Sequence, residues 1–239
     1  MGTTEIRNPK QAIMALIGQM QKNAEETGQI SRNPSDEQKE KDLYHKILSA
    51  HGIHRRFWDC TFESMEQTEI PEQCRRNFIH ARDYANRFAE HKSKGIGILM
   101  MGPVGVMKTS LSVAIAQAVL KQKYSVQFIP MAELLDQILT MTRKKDPSEF
   151  LQFEERLRST SLLIIDDLGA EYKQNWITNK VDAIITARYN RMLPMIVTTN
   201  LKPDELLGRY QERVYDRLKG ASLVMKYEGD SLRTAPIHK

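Results

Sequence analysis

Gly102-Pro-Val-Gly-Val-Met-Lys-Thr-Ser110 is the stretch of this sequence that decides its fold. It follows the apolar run Ile96 to Met101 and precedes a helical pattern that begins at Leu111. A strand, a tight glycine turn and a helix start bring several backbone N–H groups to one point, which suits a polyphosphate. We therefore predict a phosphate-binding loop in which Lys108 reaches the terminal phosphates and Thr109 ligates Mg2+.

One position of this loop departs from the pattern G-x-x-x-x-G-K-[ST], because Met107 stands where the second glycine is expected. A side chain in a left-handed conformation costs roughly 1 to 2 kcal/mol, and affinity changes about tenfold for each ~1.4 kcal/mol. We expect weakened but retained ATP binding, and slow hydrolysis. The predicted nucleotide contacts from the loop are Gly102, Pro103, Val104, Gly105, Val106, Met107, Lys108, Thr109 and Ser110.

The composition is typical of a soluble globular protein, with 41% hydrophobic and 27% charged residues among 239. No apolar run approaches the ~20 residues of a membrane span, and no signal or transit peptide is recognisable. We therefore expect a cytoplasmic protein without a membrane partner. The formal net charge of +5 is compatible with an anionic partner but does not identify one.

Only two cysteines are present, Cys60 and Cys74, which argues against a disulfide framework. Together with His51 and His54 they supply four possible zinc ligands in a short stretch. Their spacing, H-x2-H-x5-C-x13-C, lacks the C-x2-C pair of most structural zinc sites. We favour ordinary buried or exposed side chains over a zinc site.

Beyond Gly95, short apolar runs alternate with helical patterns. This alternation predicts an α/β fold in which a five-stranded parallel sheet lies between helices. The predicted strands are Gly97 to Met101, Ser125 to Ile129, Leu162 to Ile165, Met195 to Thr198 and Leu223 to Met225. The predicted helices are one from Pro71 to about Lys92, then Leu111 to Leu120, Ala132 to Met141, Glu149 to Leu157 and Trp176 to Met192.

The N-terminal part is predicted to be helical, with few core residues. A helix beginning at Asn8 has one apolar stripe, residues 22 to 41 are typical of a polar linker, and a second stripe ends before Gly52. Helices with one stripe each either dock on a partner or pack on the main domain. We divide the chain into a helical partner-binding region (1–50), a connector (51–70) and a main domain (71–239).

Two aspartates follow the third predicted strand. Ligands of open α/β sheets bind at the carboxyl ends of strands, so Asp166 and Asp167 are expected beside the phosphate loop. Asp166 is the candidate Mg2+ ligand together with Thr109. The residue that orients the attacking water is one of Asp167, Glu171 and Asn200. A helix cap or a turn is the alternative explanation of the aspartate pair.

Asn200 ends the fourth predicted strand, which is expected to lie beside the strand of the phosphate loop. A neutral amide there can hydrogen-bond the attacking water or the terminal phosphate, although Asn is also a common turn residue. Farther along the chain, Arg213, Arg217 and Arg233 offer the planar guanidinium group that suits a phosphoryl group. A salt-bridged surface helix is the alternative for the first two.

In order and spacing, these motifs resemble the AAA+ ATPases of the bacterial helicase-loader type, DnaC-like and DnaI-like, with the IstB transposition ATPases as close relatives. The resemblance covers about residues 50 to 235 and rests on the phosphate loop, Leu162 to Asp167, Asn200, Glu212 to Leu218 and Asp230 to Arg233. It implies that residues 71–239 form an AAA+ ATPase domain. It also implies that Asn200 is sensor 1, Arg217 an arginine finger toward a neighbouring subunit's nucleotide, and Arg233 the sensor 2 arginine.

The resemblance further implies a function. Such a protein assembles into an ATP-dependent oligomer on single-stranded DNA and delivers a hexameric replicative helicase, which it contacts through its N-terminal region. Three alternatives stay open: an IstB-type transposition ATPase acting on duplex DNA, a small-molecule kinase, and a nucleotide-bound assembly protein that never hydrolyses ATP.

Two segments are candidates for DNA contact from their residues alone. Arg143-Lys-Lys145 is basic, and Tyr172 to Trp176 combines a lysine with two aromatic residues. Basic groups follow phosphates and aromatic rings stack on bases, which is what unspecific single-strand binding needs. Packing within the domain is the alternative for the aromatic residues, and a solvated loop is the alternative for the charges.

Overall fold

The computed structural model describes residues 34–144, 146–170, 175–210 and 212–233. Within these ranges, five parallel strands form one sheet in the order β2-β3-β4-β1-β5. The strands are β1 (Gly97–Met101), β2 (Val126–Pro130), β3 (Leu162–Asp166), β4 (Met195–Thr199) and β5 (Ser222–Lys226). The predicted α/β fold with a five-stranded parallel sheet is confirmed, and each strand coincides with a predicted apolar run.

Helices precede the sheet and connect its strands. Before β1 the chain forms α1 (Pro34–Ala50), a short 3-10 helix (Arg55–Phe57), α2 (Phe62–Glu66), α3 (Glu72–Asn86) and α4 (Phe88–Lys94). The later helices are α5 (Lys108–Lys121), α6 (Met131–Thr142), α7 (Ser148–Ser159), α8 (Asn175–Asn190), α9 (Pro203–Arg209) and α10 (Glu212–Gly220). None of the helices in the described ranges is long and apolar enough to cross a membrane.

The strands β1 to β4 are buried on both faces of the sheet, whereas Leu223 and Val224 of the edge strand β5 are exposed. Successive side chains of a strand point to opposite faces, so the residues of β1 divide between two apolar clusters. Ile98 and Met100 belong to the cluster that includes α3 and α5. Leu99 and Met101 belong to the cluster that includes α6, α7 and α8. This two-sided burial explains why the strands are continuous apolar runs.

The helix α1 packs on the main domain through its C-terminal half. Leu48 is fully buried in the first apolar cluster, and the Tyr44 hydroxyl donates a hydrogen bond of 3.0 Å to Gln117 Oε1 on α5. Because α1 begins at Pro34, the end of the predicted linker is helical. The helix predicted from Asn8 lies outside the described residues, and the domain boundary at residue 50 stays a prediction.

The single long helix predicted from Pro71 is wrong, because it is two helices separated at Arg87. The backbone of Arg87 leaves the helical region, with φ −103° and ψ 25°. Tyr84 and Phe88 on either side of the break are both fully buried, with their rings edge to face at 6.1 Å. The change of direction lets the two aromatic side chains share one cluster, which an apolar pattern alone does not reveal.

A buried arginine joins two elements of the second layer. Arg188 on α8 is fully buried and donates hydrogen bonds to the carbonyl oxygens of Leu157 (2.8 Å), Thr160 (2.9 Å) and Pro194 (2.7 Å). These carbonyls lie at the end of α7 and just before β4. A buried charge of this kind is tolerated only where hydrogen bonds replace its lost hydration.

Candidate functional site

The loop between β1 and α5 wraps around the start of α5, as the glycine pattern predicted. Gly102 and Gly105 both have positive φ, 153° and 86°. A Cβ on Gly105 would lie 2.0 Å from Ser231 Oγ, so no side chain fits there without moving the segment after β5. The N–H of Leu232 donates to Gly105 O at 2.9 Å, which fixes that segment to the loop.

Met107 occupies the position of the missing glycine in a left-handed conformation. Its φ is 69° and its ψ 5°, immediately before the first residue of α5. The expectation that this turn needs backbone angles that a side chain disfavours is therefore confirmed. The side chain is half-buried and packs against the first apolar cluster. The loop thus keeps its shape with a side chain that is strained but packed.

Lys108 lies at the centre of the loop. Its ammonium donates hydrogen bonds to Gly102 O (2.7 Å), Pro103 O (2.6 Å) and Asn200 Oδ1 (2.8 Å). Burial lowers the pKa of this ammonium, and the nearby carboxylates of Asp167 and Asp166 oppose that shift. A buried ammonium surrounded by oxygen acceptors has the chemistry to bind a terminal phosphate.

Thr109 and Asp166 meet as predicted. The Thr109 hydroxyl lies 3.0 and 3.1 Å from the two carboxylate oxygens of Asp166. The Thr198 hydroxyl donates a second hydrogen bond to Asp166 Oδ1 at 2.6 Å. Burial raises the pKa of the Asp166 carboxyl, and the hydrogen bonds from Thr198 and Thr109 oppose part of that rise. A buried carboxylate with a raised pKa gains from a nearby cation.

Asp167 and Asn200 stand next to this pair. Asp167 has a φ of 56°, and its N–H donates to Thr198 Oγ1 at 2.9 Å. Asn200 donates from Nδ2 to Asp167 Oδ1 at 3.2 Å while its own Oδ1 accepts from Lys108. The strand β4, which Asn200 directly follows, pairs with β1, as predicted. Asn200 therefore links the loop lysine to the second carboxylate, and Glu171 lies outside the described residues.

The donor set fits Mg2+ but not a metal held by protein ligands alone. Thr109 and Asp166 offer a hydroxyl and a carboxylate within 3.1 Å of each other. In the described ranges no group of three or more His, Cys, Asp or Glu side chains is placed to hold a metal ion. Mg2+ is usually bound by one or two protein oxygens, with phosphates and waters completing its octahedron. The residues present therefore suit a nucleotide-bound Mg2+.

The cleft around the loop has a volume of about 380 Å3 and includes residues that the sequence did not indicate. Arg56, Phe57 and Cys60, which precede α2, line it together with the loop, Asp167 and Asn200. Arg233 lines the same cleft, as its predicted role requires. Arg56 and Phe57 lie more than 40 positions before the phosphate loop, and no pattern in the sequence around them indicates a nucleotide contact. Only the fold brings them to the cleft.

The arginines of α10 lie elsewhere. Arg213 and Arg217 both pair with Asp182 on α8, and neither lines the cleft around the loop of its own chain. Within one chain, Arg213 and Arg217 therefore lie on a salt-bridged helix, which was the alternative explanation of these two residues. A role toward a neighbouring subunit's nucleotide is untouched by this geometry and stays a prediction.

The four possible zinc ligands do not converge. His51 Nδ1 lies 2.8 Å from Ile47 O, and His54 pairs with Glu133 at 2.8 Å. Cys74 is buried and contacts Val106 O at 3.7 Å, whereas Cys60 lies in the nucleotide cleft. Each of the four side chains thus has a different neighbourhood.

The predicted DNA-contact segments are only partly described. Lys144 forms an ion pair with Glu149, so its charge is already partly balanced. Lys145, Tyr172 and the side chain of Trp176 lie outside the described residues. Direct contact with DNA by these segments stays a prediction.

Comparison with known proteins gives consistent results. A family model described as IstB-like ATP binding protein matches residues 83–237. The replicative helicase loader DnaI of Bacillus subtilis (strain 168) is 27% identical over 166 residues, which cover 67% of this chain and 52% of DnaI. The replicative helicase loader DnaC of Escherichia coli (strain K12) is 26% identical over 191 residues, which cover 79% of this chain and 75% of DnaC.

Solved structures support the same fold. The crystal structure of the DnaC helicase loader matches with a TM-score of 0.64 at 22% identity, covering 73% of this chain and 100% of that chain. This likeness shows that the chain has the AAA+ fold. The match to DnaI spans only about half of that protein's length.

Proposed function

We infer the function of this chain from the premise that it belongs to the IstB-like ATP-binding protein family. We propose that it is an ATPase of DNA replication, a loader that binds ATP and single-stranded DNA and delivers a hexameric replicative helicase. The observation that carries the proposal is the convergence of Lys108, Thr109 and Asn200 on one cleft, with Asp166 hydrogen-bonded to Thr109. The helicase-loader relatives, DnaI and DnaC, support the biological role.

Each residue in and beside the cleft has a separate proposed role in ATP hydrolysis. Backbone N–H groups of the loop and the Lys108 ammonium bind the phosphates, and Thr109 and Asp166 hold Mg2+. When bound, Mg2+ neutralises charge on the phosphate oxygens. Asp167 orients the attacking water, and Asn200 fixes Asp167 relative to Lys108, given its hydrogen bonds to both. Arg233 contacts the phosphates from the segment after β5.

We further propose that hydrolysis is slow. Met107 has a side chain in a left-handed conformation, where a glycine would leave the backbone free to adjust. The packed Met107 side chain restricts the adjustment of the loop around the transferring phosphoryl group. An increase in kcat on Met107→Gly would support this idea, and an unchanged or lower kcat would contradict it.

Assembly and partners complete the proposal. The chain forms an ATP-dependent oligomer in which Arg217 of one subunit reaches the nucleotide of the next. The N-terminal region, residues 1–50, contacts the helicase. ATPase rates measured with and without single-stranded DNA and a cognate hexameric helicase test site, ligand and partner together. Stimulation by both is expected, and a rate that neither changes would refute the loader role.

An IstB-type transposition ATPase is the second candidate: the description of the matching family model raises it, whereas the helicase-loader relatives favour the loader. Such a protein acts on duplex DNA and recruits a transposase. Competition between single-stranded and duplex DNA of equal length separates the two candidates. Preference for single strands supports the loader, and preference for the duplex supports the transposition ATPase.

A further inference from the structure

A second cleft, of about 400 Å3, lies between α8 and α10. It shares no lining residue with the nucleotide cleft of the same chain. Two residues four positions apart on α8, Asp182 and Thr186, face two residues four positions apart on α10, Arg213 and Arg217. Residues four apart lie on the same face of a helix, so the two helices present matched pairs to each other.

The four side chains form one closed hydrogen-bond network. Asp182 Oδ1 accepts from Arg217 Nη1 and from the Thr186 hydroxyl, both at 3.1 Å. Asp182 Oδ2 forms the contact with Arg213 Nη2. Thr186 Oγ1 in turn accepts from Arg217 Nη1 at 2.7 Å. Both carboxylate oxygens of Asp182 are therefore occupied, each by a different arginine.

The exposed fraction of the side chains increases from the carboxylate to the outer arginine. The side chain of Asp182 is 12% exposed, that of Arg217 is 27% exposed and that of Arg213 is 55% exposed. The carboxylate therefore sits at the base of the cleft and the guanidinium groups lie above it. A largely buried carboxylate holds its partners more rigidly than a surface ion pair does, because it exchanges them less readily for water.

The charges of the network do not balance. One carboxylate faces two guanidinium groups, which leaves an excess positive charge in the cleft. Each guanidinium has five N–H groups, and only one nitrogen of each is engaged by the described residues. An ion pair that merely joined α8 to α10 would be complete with one arginine. The surplus charge and donors suit an anion from outside the chain, of the size and geometry of a phosphate.

We propose that Asp182 is a positioning residue for ATP hydrolysis between subunits. It holds Arg213 and Arg217 as a preformed pair that receives the terminal phosphate of the nucleotide bound by a second copy of this chain. The proposal rests on the intersubunit site proposed above, and it adds a buried acid that prepares both arginines for that contact. Thr186 supports the arrangement by fixing Arg217 to the same carboxylate oxygen.

The first test is the ATPase rate of Asp182→Asn at concentrations at which the wild-type protein is assembled. A loss in kcat of about tenfold or more is expected, with KM for ATP within about twofold of wild type, because the variant's own phosphate loop is intact. Asp136→Asn, the same change at an exposed position of α6, is the matched control and should behave as wild type. A wild-type kcat for Asp182→Asn would overturn the proposal.

Mixed assemblies separate positioning from a merely structural role. Lys108→Ala removes the phosphate contact but leaves the α8–α10 cleft intact, whereas Asp182→Asn does the reverse. In a random equal mixture about a quarter of the interfaces join an intact loop to an intact cleft, so about a quarter of the wild-type rate should return. Sedimentation of the mixture confirms assembly. A mixture no more active than the sum of its two components would overturn the proposal.

Three further variants distinguish a failure to fold from a failure of the proposal. Thermal unfolding shows whether Asp182→Asn folds, and Thr186→Val with Thr186→Ser tests the same network if it does not. The serine variant should retain the rate and the valine variant should lose several-fold in kcat, while equal rates would count against the network. Arg217→Ala reports on the underlying function: if its rate is unchanged, the intersubunit site itself is refuted. If only Arg217→Ala is impaired and Asp182→Asn is not, the role of Asp182 alone fails.

Discussion

The strain at Met107 can be measured by comparing two substitutions at that position. Met107 has φ 69° and ψ 5°. Met107→Gly removes the penalty of roughly 1 to 2 kcal/mol that a side chain incurs there. It also removes a half-buried side chain, whose contacts stabilise the fold by about 1 kcal/mol. The two effects on the free energy of unfolding nearly cancel, so the stability of Met107→Gly alone is uninformative and Met107→Ala is its necessary partner.

The alanine variant loses the same packing but keeps the strain. We therefore expect Met107→Gly to have a free energy of unfolding about 1 kcal/mol greater than that of Met107→Ala, after the greater entropy of glycine in the unfolded chain is subtracted. Urea titrations of both variants, compared at equal m values, measure the difference. If the alanine variant is as stable as the glycine variant or more so, the left-handed strain is absent and the reasoning is refuted.

Nucleotide titration of the same two variants shows whether the strain at Met107 affects ATP binding as well as the stability of the fold. Packing against the first apolar cluster and the hydrogen bond from Leu111 N to Met107 O (2.9 Å) hold the left-handed angle as part of the fold. We therefore expect the Kd for ATP to agree between the two variants within about twofold, since ~1.4 kcal/mol would be needed for a tenfold change. A tenfold tighter Kd for the glycine variant would place the strain in the binding step instead, as the sequence pattern alone suggested.

Three further predictions concern the cleft and the core. Asp166→Asn should raise the free energy of unfolding by about 0.5 to 2 kcal/mol and abolish Mg2+-dependent turnover. Because burial raises the pKa of this carboxyl, the ionised Asp166 destabilises the fold more as pH rises from about 4 toward neutrality. Urea titrations across that pH range should therefore show a widening difference in stability between Asp166→Asn and the wild-type protein. Gly105→Ala, at φ 86°, should weaken ATP binding by about tenfold or more in a titration, whereas the control Gly208→Ala, with nothing within 4 Å of its new Cβ, should bind normally. Arg188→Met should destabilise the fold by about 3 kcal/mol or more, because it leaves buried carbonyls without donors, whereas the exposed Arg191→Met should cost less than about 1 kcal/mol by the same urea assay.

The sequence predicted the sheet and the loop well because both depend on local patterns. Each strand of a parallel sheet buried on two faces is a continuous apolar run, which can be recognised without knowing its neighbours. The phosphate loop is equally local, and the meeting of Lys108 with Asn200 followed from the rule that ligands bind at the carboxyl ends of strands. The strain at Met107 followed from one missing glycine.

What the sequence did not predict depends on contacts between distant residues. Arg56 and Phe57 enter the nucleotide cleft only because the segment between α1 and α2 folds back against the loop. Asp182 is one of many acidic residues on helices, and nothing in its neighbours along the chain indicates that two arginines some 30 positions later share it. Such pairings are properties of the packed fold, where burial and geometry select one carboxylate among several.

The distribution of backbone strain supports the placement of the site. In the described part of the chain, four residues other than glycine have positive φ, and two of them, Met107 and Asp167, line or adjoin the cleft that contains Lys108. The other two, Lys123 and Met192, follow helices, where a left-handed residue ends the helix. Strain at Met107 and Asp167 has no such local explanation. Met107 directly precedes α5 and Asp167 directly follows β3. Each is held by contacts with other parts of the fold, Met107 by the first apolar cluster and Asp167 by Thr198. Strain maintained by surrounding structure is characteristic of positions where geometry serves function at the expense of stability.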